Sequence, residues 1–321
     1  MNMIKVQNLT KVYKTIVKQN NLFKDFFARK YEKARALNKI SFTIDQGELI
    51  GFIGPNGAGK TTTMKILTGI LYPTAGEVNI LGYWPFDKKQ EFLKQISFIM
   101  GQKNQLIWEL PASDTFLLNK EIYEIEEIAY KKQLNELTEL LKAEKLINKP
   151  VRTLSLGQRM RMELIAALLH QPKIMFLDEP TIGLDIFAQT TIINFIHEYQ
   201  QRHKATIVFT SHYMKDIQRL AKRVILIDKG QLVFDGALDK LVRSYSKEKT
   251  LQIILKKPIS EKILRTIKTT YKYKMPVLKL KAEKQVLLEL MQSLLPMLEY
   301  NDFTLEDEPI EEIIKKVFFK S

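Results

Sequence analysis

The chain has 321 residues, 45% of them apolar, no cysteine, and 50 Lys and Arg against 36 Asp and Glu, for a formal charge of +14. Such a length and apolar content suit about two packed domains and exclude a wholly disordered chain. The absence of cysteine excludes a disulfide scaffold and any Cys-ligated zinc or iron–sulfur site, and the cationic surplus calls for a polyanionic partner: nucleic acid, anionic lipid or nucleotide.

No apolar run approaches the ~20 residues of a membrane-spanning helix; residues 174–177 and 207–209 are strand-length. Residues 1–14 lack the apolar stretch of a signal peptide. A cytosolic chain, or one held at the membrane by something else, is expected. Residues 2–13 alternate through Ile4, Val6, Leu9 and Val12, which predicts an edge strand. Residues 20–36 change character: Leu22, Phe23, Phe26, Phe27 and Tyr31 recur at helical spacing among Lys24, Arg29, Lys30, Lys33 and Arg35. This predicts an inserted amphipathic basic helix at about 18–36. Three readings of it stand open: a face packed on its own domain, a dock for a membrane partner, or a helix lying on anionic lipid.

Residues 40–44 alternate again, and 47–53 read as a turn and a buried strand that runs into a Gly-rich loop and a helix near Lys60. Residues 105–150 are helix-rich and charged, with Pro111 opening one segment and 121–145 forming one long helical pattern. A helix over 160–170 leads to the strand 174–177. Residues 207–210 and 224–227 are further buried strands, with a helix near 213–222 between them. Strand alternating with helix implies a parallel sheet with right-handed crossovers. After about Ala237 the composition shifts, and residues 243–284 hold 13 Lys and Arg against 3 Asp and Glu. The pattern there is strand 251–255, helix 260–271, strand 276–280, helix 285–297, a short strand near 303–305 and helix 310–318, a small α/β accessory domain.

The chemistry concentrates in a few segments. Gly54-Pro55-Asn56-Gly57-Ala58-Gly59-Lys60-Thr61 fits G-x-x-x-x-G-K-[ST] between a predicted strand and a predicted helix. Its glycines let successive N–H groups turn inward as an anion nest, and the helix N-terminus adds positive charge. Lys60 reaches outer phosphates, and the Thr61 hydroxyl is a ligand for Mg²⁺. The strand 174–177 ends in Asp178 and Glu179. Asp178 is placed to hold the metal, and Glu179 to orient and deprotonate an attacking water. Leu154-Ser155-Leu156-Gly157-Gln158 precedes a helix and offers a hydroxyl and an N–H to an anion; an ordinary helix cap is the rival reading.

The phosphate loop, Leu-Ser-Leu-Gly-Gln, Leu177-Asp-Glu-Pro180, Gly183-Leu-Asp185 and Ser211-His212 together resemble the ordered motif set of the ATP-binding cassette (ABC) ATPases. The resemblance covers roughly residues 2–237. Leu156 departs from the usual Leu-Ser-Gly-Gly-Gln, which puts in doubt the local backbone freedom. The resemblance implies an α/β P-loop ATPase domain over 1–240, with a mixed sheet core, an antiparallel β subdomain and a helical subdomain at about 103–160, followed by the accessory domain at 241–321. It further implies a homodimer sandwiching two ATP with Mg²⁺, in which Ser155 and Gly157 of one protomer contact the γ-phosphate held by Lys60 of the other, with Thr62 and Gln158 among the nucleotide-binding residues. By the same resemblance Asp185 contacts the partner protomer, His212 the γ-phosphate, and Tyr13 stacks on adenine, with Tyr31 a weaker candidate. Gln102 is the glutamine linking the metal site (with Thr61 and Asp178) to the helical subdomain, and Gln105 competes for that role.

Residues 105–111, with Trp108, match the groove that receives a coupling helix in transporter ATPases; packing inside the helical subdomain is the alternative. The run 101–111, Leu156 and the accessory domain favour exporters whose ATPase and polytopic membrane subunits are separate chains, at the cytoplasmic face of the cell membrane. A soluble ABC-type ATPase acting on nucleic acid or ribosomes is the rival; it usually carries two cassettes or a long coiled-coil insert, and no specific nucleic acid is expected here. A small-molecule kinase fits neither Leu-Ser-Leu-Gly-Gln nor His212.

Overall fold

In the computed structural model the described residues are 2–17, 30–245 and 248–320. They form two units, Met1–Gly236 and Ala237–Ser321.

The first unit begins with a long antiparallel pair, β1 (Asn2–Val17) and β2 (Lys30–Asp45), followed by β3 (Leu49–Ile53), α1 (Lys60–Leu67), β4 (Ala75–Ile80) and β5 (Ile96–Met100). Helices α2 (Ala112–Ile122), α3 (Glu127–Leu140) and α4 (Leu156–Leu168) come next. Then β6 (Ile174–Asp178), α5 (Ile186–His203), β7 (Thr206–Thr210), α6 (Met214–Leu220), β8 (Arg223–Asp228) and β9 (Gln231–Ala237) complete it. One sheet has the order β5-β6-β7-β3-β8-β9, the other β2-β1-β4. The pairs β5–β6, β6–β7, β7–β3 and β3–β8 are parallel. Strands covered on both faces read as unbroken apolar runs. So β6 and β7 are buried along their whole length, and Phe52, Phe176 and Phe209 are at most 1% exposed. Each such side chain contributes roughly 1.5–3 kcal/mol. Ile4, Val6, Leu9 and Phe42 of the antiparallel sheet join the same core as Phe52, Phe176 and Val208.

Several expectations change. β1 is the middle strand of its sheet, not an edge, because β4 pairs on its other side through Ile4↔Ile80 and Val6↔Val78. The expected basic helix at 18–36 is contradicted over 30–36, where β2 continues with Tyr13↔Ala34 and Val12↔Arg35 pairing. Cross-strand pairing there outweighs the helical spacing of the aromatic residues. Residues 18–29 lie outside the described residues. The single helix at 121–145 is two, because Glu124 takes φ +54° and the Ile125 N–H returns to the Lys120 carbonyl. The helix expected at 160–170 starts four residues earlier, at Leu156.

The second unit opens with α7 (Leu238–Tyr245) and β10 (Glu248–Leu255), then β11 (Thr270–Lys274), β12 (Val277–Glu283), α8 (Lys284–Leu294), β13 (Tyr300–Asp307) and α9 (Ile310–Lys320). The strands form an antiparallel sheet of order β11-β12-β10-β13. Leu251, Ile253, Leu278 and Leu280 meet Leu287 and Leu294 of α8 in its core. The helix expected at 260–271 is one turn, Glu261–Leu264, and Thr270–Lys274 is a strand. Tyr271-Lys-Tyr273-Lys alternates with β-formers, and the Tyr273 hydroxyl accepts from the Ile259 N–H.

Candidate active site

The carboxyl ends of β3 and β6 converge with that of β7 between them, the usual place for a ligand in an open α/β sheet. The loop after β3 enters α1 through Gly59 at φ +110°, where a Cβ would lie 2.6 Å from Leu37 and 2.7 Å from the Ala36 carbonyl oxygen. Only glycine fits there. Lys60 follows and is 5% exposed; its Nζ donates to the carbonyls of Gly54 (2.7 Å) and Pro55 (3.1 Å). Burial pushes its pKa down, and the nearby charges of Glu179 and Asp178 oppose that shift.

Asp178 ends β6. Its Oδ2 accepts from Thr61 Oγ1 at 2.7 Å and its Oδ1 from Thr210 Oγ1 at 2.8 Å. Glu179 sits at φ +56°, a left-handed conformation costly for a side chain of its size. It is held because its N–H donates to Thr210 Oγ1 (2.9 Å), with the Thr210 carbonyl at 3.2 Å, while its own carbonyl lies where a Cβ on Gly101 would come within 2.1 Å. Its Oε1 accepts from His212 Nε2 at 2.7 Å.

A cleft of about 460 Å³ is lined by Asn56, Gly57, Gly59, Lys60, Thr61, Thr62, Gln102, Glu179, Ile182 and His212. A side cavity of about 130 Å³ joins Thr61, Gln102, Asp178 and Glu179. Its hard oxygen donors, few in number, suit Mg²⁺, which keeps waters and phosphate oxygens as its other ligands. Gln105 is engaged elsewhere: its N–H donates to Glu163, and its side chain donates to the Phe98 carbonyl.

Other expected residues lie apart from the cleft lining. Ser155 caps α4: its Oγ accepts from the Gln158 N–H, and Gln158 Oε1 accepts from the Ser155 N–H. Leu156 is the first helical residue, so the departure from glycine needs no unusual backbone. Gly157 is required by packing, since a Cβ there would lie 2.5 Å from Ala188. Asp185 Oδ1 accepts from the N–H groups of Phe187 and Ala188 and caps α5. Tyr13 is 39% exposed beside a groove shared with Lys11, Lys14, Lys33 and Arg35, its hydroxyl 3.4 Å from Thr62 Oγ1. Sequence reasoning missed Thr210, Gly101 and Asp216. Asp216 Oδ2 accepts from Thr181 and Gln189 beneath the His212 turn. The signal for Thr210, a hydroxyl ending the strand before Ser211-His212, was present but has no fixed spacing to Asp178.

The family model for the ABC transporter matches residues 37–182. The ABC transporter ATP-binding protein NatA of Bacillus subtilis is 30% identical over 231 residues, 72% of this chain and 94% of that protein. The chain belongs to the ABC transporter ATPase family. The bacitracin transport ATP-binding protein BcrA of Bacillus licheniformis is 32% identical over 239 residues, covering 74% of this chain and 75% of BcrA. A Nod factor export ATP-binding protein I of Burkholderia orbicola is 32% identical over 216 residues, 67% of this chain and 70% of that protein. A solved dimeric ATP-binding cassette, in a post-hydrolysis state with ADP and Pi, is 25% identical with a TM-score of 0.63, covering 74% of this chain and 99% of that one. The protein is thus an ABC-type ATPase that binds ATP and drives transport, not one that acts on nucleic acid. No helix among the described residues is long and apolar enough to cross a membrane.

Proposed function

We propose that the chain is the ATPase subunit of an exporter, that two copies close around two ATP, and that this closure drives separate polytopic membrane subunits at the cytoplasmic membrane face. The observation that carries the chemistry is Glu179, aimed into the phosphate-loop cleft and bonded to His212 at 2.7 Å. Export is supported by relatives named for bacitracin transport and Nod factor export. Docking of a membrane subunit is supported by exposed Ile107, Trp108 and Leu110, each at 40–45%, with the Arg159 guanidinium over the Trp108 ring at 5.7 Å. A half-exposed aromatic braced this way is a usable anchor.

In this reading the loop N–H groups of 54–60 and the Lys60 ammonium hold the β- and γ-phosphates, and Tyr13 stacks on adenine. Thr61, Asp178 and Gln102 would hold Mg²⁺, which supplies charge neutralisation to the phosphates when bound. Glu179 accepts a proton from water, whose oxygen attacks the γ-phosphorus in line as ADP departs. His212 fixes the Glu179 carboxylate. Ser155, Gly157 and Gln158 lie outside their own cleft lining and serve the second copy's γ-phosphate, with Asp185 at the same contact.

Glu179→Gln tests this. Expected are retained ATP binding, turnover lowered by ~10²–10⁴-fold, and an ATP-dependent dimer on size exclusion; undiminished turnover would remove Glu179 as the base. A tagged pull-down from gently solubilised membranes should bring one or two polytopic proteins at near-equal stoichiometry. Recovery of ribosomal or DNA-bound partners alone would sink the exporter reading.

A further inference from the structure

The basic stretch of the C-terminal unit supplies none of the residues that line the cleft, and it has an acidic counterpart. Residues 285–314 contain eight Asp and Glu and no Lys or Arg. The fold places these two halves at opposite edges of one sheet face. Leu251, Ile253, Leu278 and Leu280 point to the α8 side, so by strand alternation their neighbours share the other face. Register then sets three rows across β11-β12-β10-β13. They are Thr270, Lys281, Thr250 and Glu306; then Lys272, Lys279, Gln252 and Thr304; then Lys274, Val277, Ile254 and Asp302. Lys281 is already bonded to Glu308. Lys272, Lys274, Lys279, Asp302 and Glu306 are exposed and take part in no ion pair among the described residues. Lys272 stands directly opposite Lys279, a like-charge pair that destabilises a sheet unless an anion meets it.

We infer that two copies pair through this face, related by a two-fold axis that lies in the contact plane parallel to the strands. That rotation exchanges the edges of the sheet and keeps the rows. Lys274 then meets Asp302 of the second copy, the Glu306 of the second copy comes against Thr270 beside Lys272, and the half-buried Val277 and Ile254 meet at the centre. A two-fold perpendicular to the strands would set lysine on lysine. The surface is therefore complementary to itself in one orientation, as an isologous contact must be, and a second copy satisfies both edges where a polyanion would satisfy one and repel the other. The face covers roughly 300 Å² by strand spacing and rise, against ~800 Å² per partner in a standard interface. It thus adds to the ATP-dependent pairing proposed above, on which this inference rests.

The chain has no cysteine, so introduced pairs report cleanly. In the Glu179→Gln background with ATP, Lys274→Cys with Asp302→Cys should cross-link under mild oxidation to a species of doubled mass. Within one chain the two positions are three strand spacings apart, ~14 Å, beyond the ~7 Å reach of a disulfide. Lys274→Cys alone should not cross-link, because the two copies of position 274 lie at opposite edges of the contact. If the ATP-dependent dimer forms but the pair stays monomeric, or if Lys274→Cys alone cross-links, this contact is wrong and the ATPase reading stands. If Glu179→Gln with ATP forms no dimer at all, the pairing proposed above is what has failed.

Discussion

Lys60 and Lys272 are treated in opposite ways by the same chain. Lys60 is 5% exposed, bonded to two loop carbonyls, and lies near the charges of Asp178 and Glu179. Lys272 is exposed, opposite another lysine, on a face whose far edge is acidic. Burial makes the first ammonium costly to charge, so its position is fixed by every group that offsets that cost. The second ammonium stands in solvent, and its position matters only through what it repels or attracts at a distance. A net charge of +14 sums both kinds and distinguishes neither, which is why composition alone leaves nucleic acid, lipid and nucleotide equally open.

The sharpest way to break this contrast is Lys60→Ala. Removing the charge that meets the phosphates should lower ATP turnover by ~10²–10³-fold, read by steady-state phosphate release, while Lys272→Ala leaves the rate unchanged. Equal effects from the two would mean that the cleft lysine serves folding alone. A smaller effect is expected from Thr210→Val. It leaves Asp178 Oδ1 and the Glu179 N–H without their side-chain partner, at ~1–3 kcal/mol of stability, and frees Glu179 from its strained backbone. Turnover should drop about tenfold or more by the same scale, with Thr210→Ser restoring it. Full turnover in Thr210→Val would show that β7 does not position the base.

The two regions also differ in how much of each a linear pattern of residues can carry. Near the cleft each function rests on a short local segment with fixed spacing, so 54–61, Asp178, Glu179 and His212 could be assigned as residues. Thr210 escaped because it reaches Asp178 through the pairing of β6 and β7, a contact 32 positions apart along the chain. The antiparallel parts were harder. Residues 30–36 carry helical spacing but are drawn into β2 by the partner strand, and 270–274 continue a helical pattern whose single turn ends at Leu264. In both cases the deciding contacts are cross-strand, and a linear pattern does not contain them.

At the small end of the scale, Glu308 offers the C-terminal unit's own version of a buried charge. Its side chain is 1% exposed and takes hydrogen bonds from Lys281 (2.8 Å) and Lys316 (2.7 Å), tying α9 to β12. Burial pushes its pKa up, but the bonds to the two lysines outweigh burial and hold it below the ordinary 4.5. The stability it contributes is therefore present above pH 4.5 and is lost as the pH falls toward and through its lowered value. Both lysines are 37% exposed, so solvent screening limits the effect. Glu308→Gln should destabilise this unit by only ~1–2 kcal/mol at neutral pH, measured by amide hydrogen exchange in β10 and β12. The gap to the parent chain should narrow as the pH falls from 4.5 toward and through the lowered value, where the parent's carboxylate takes up its proton. A gap that persists unchanged into acid would mean that Glu308 acts by its shape in the packing and not by its charge.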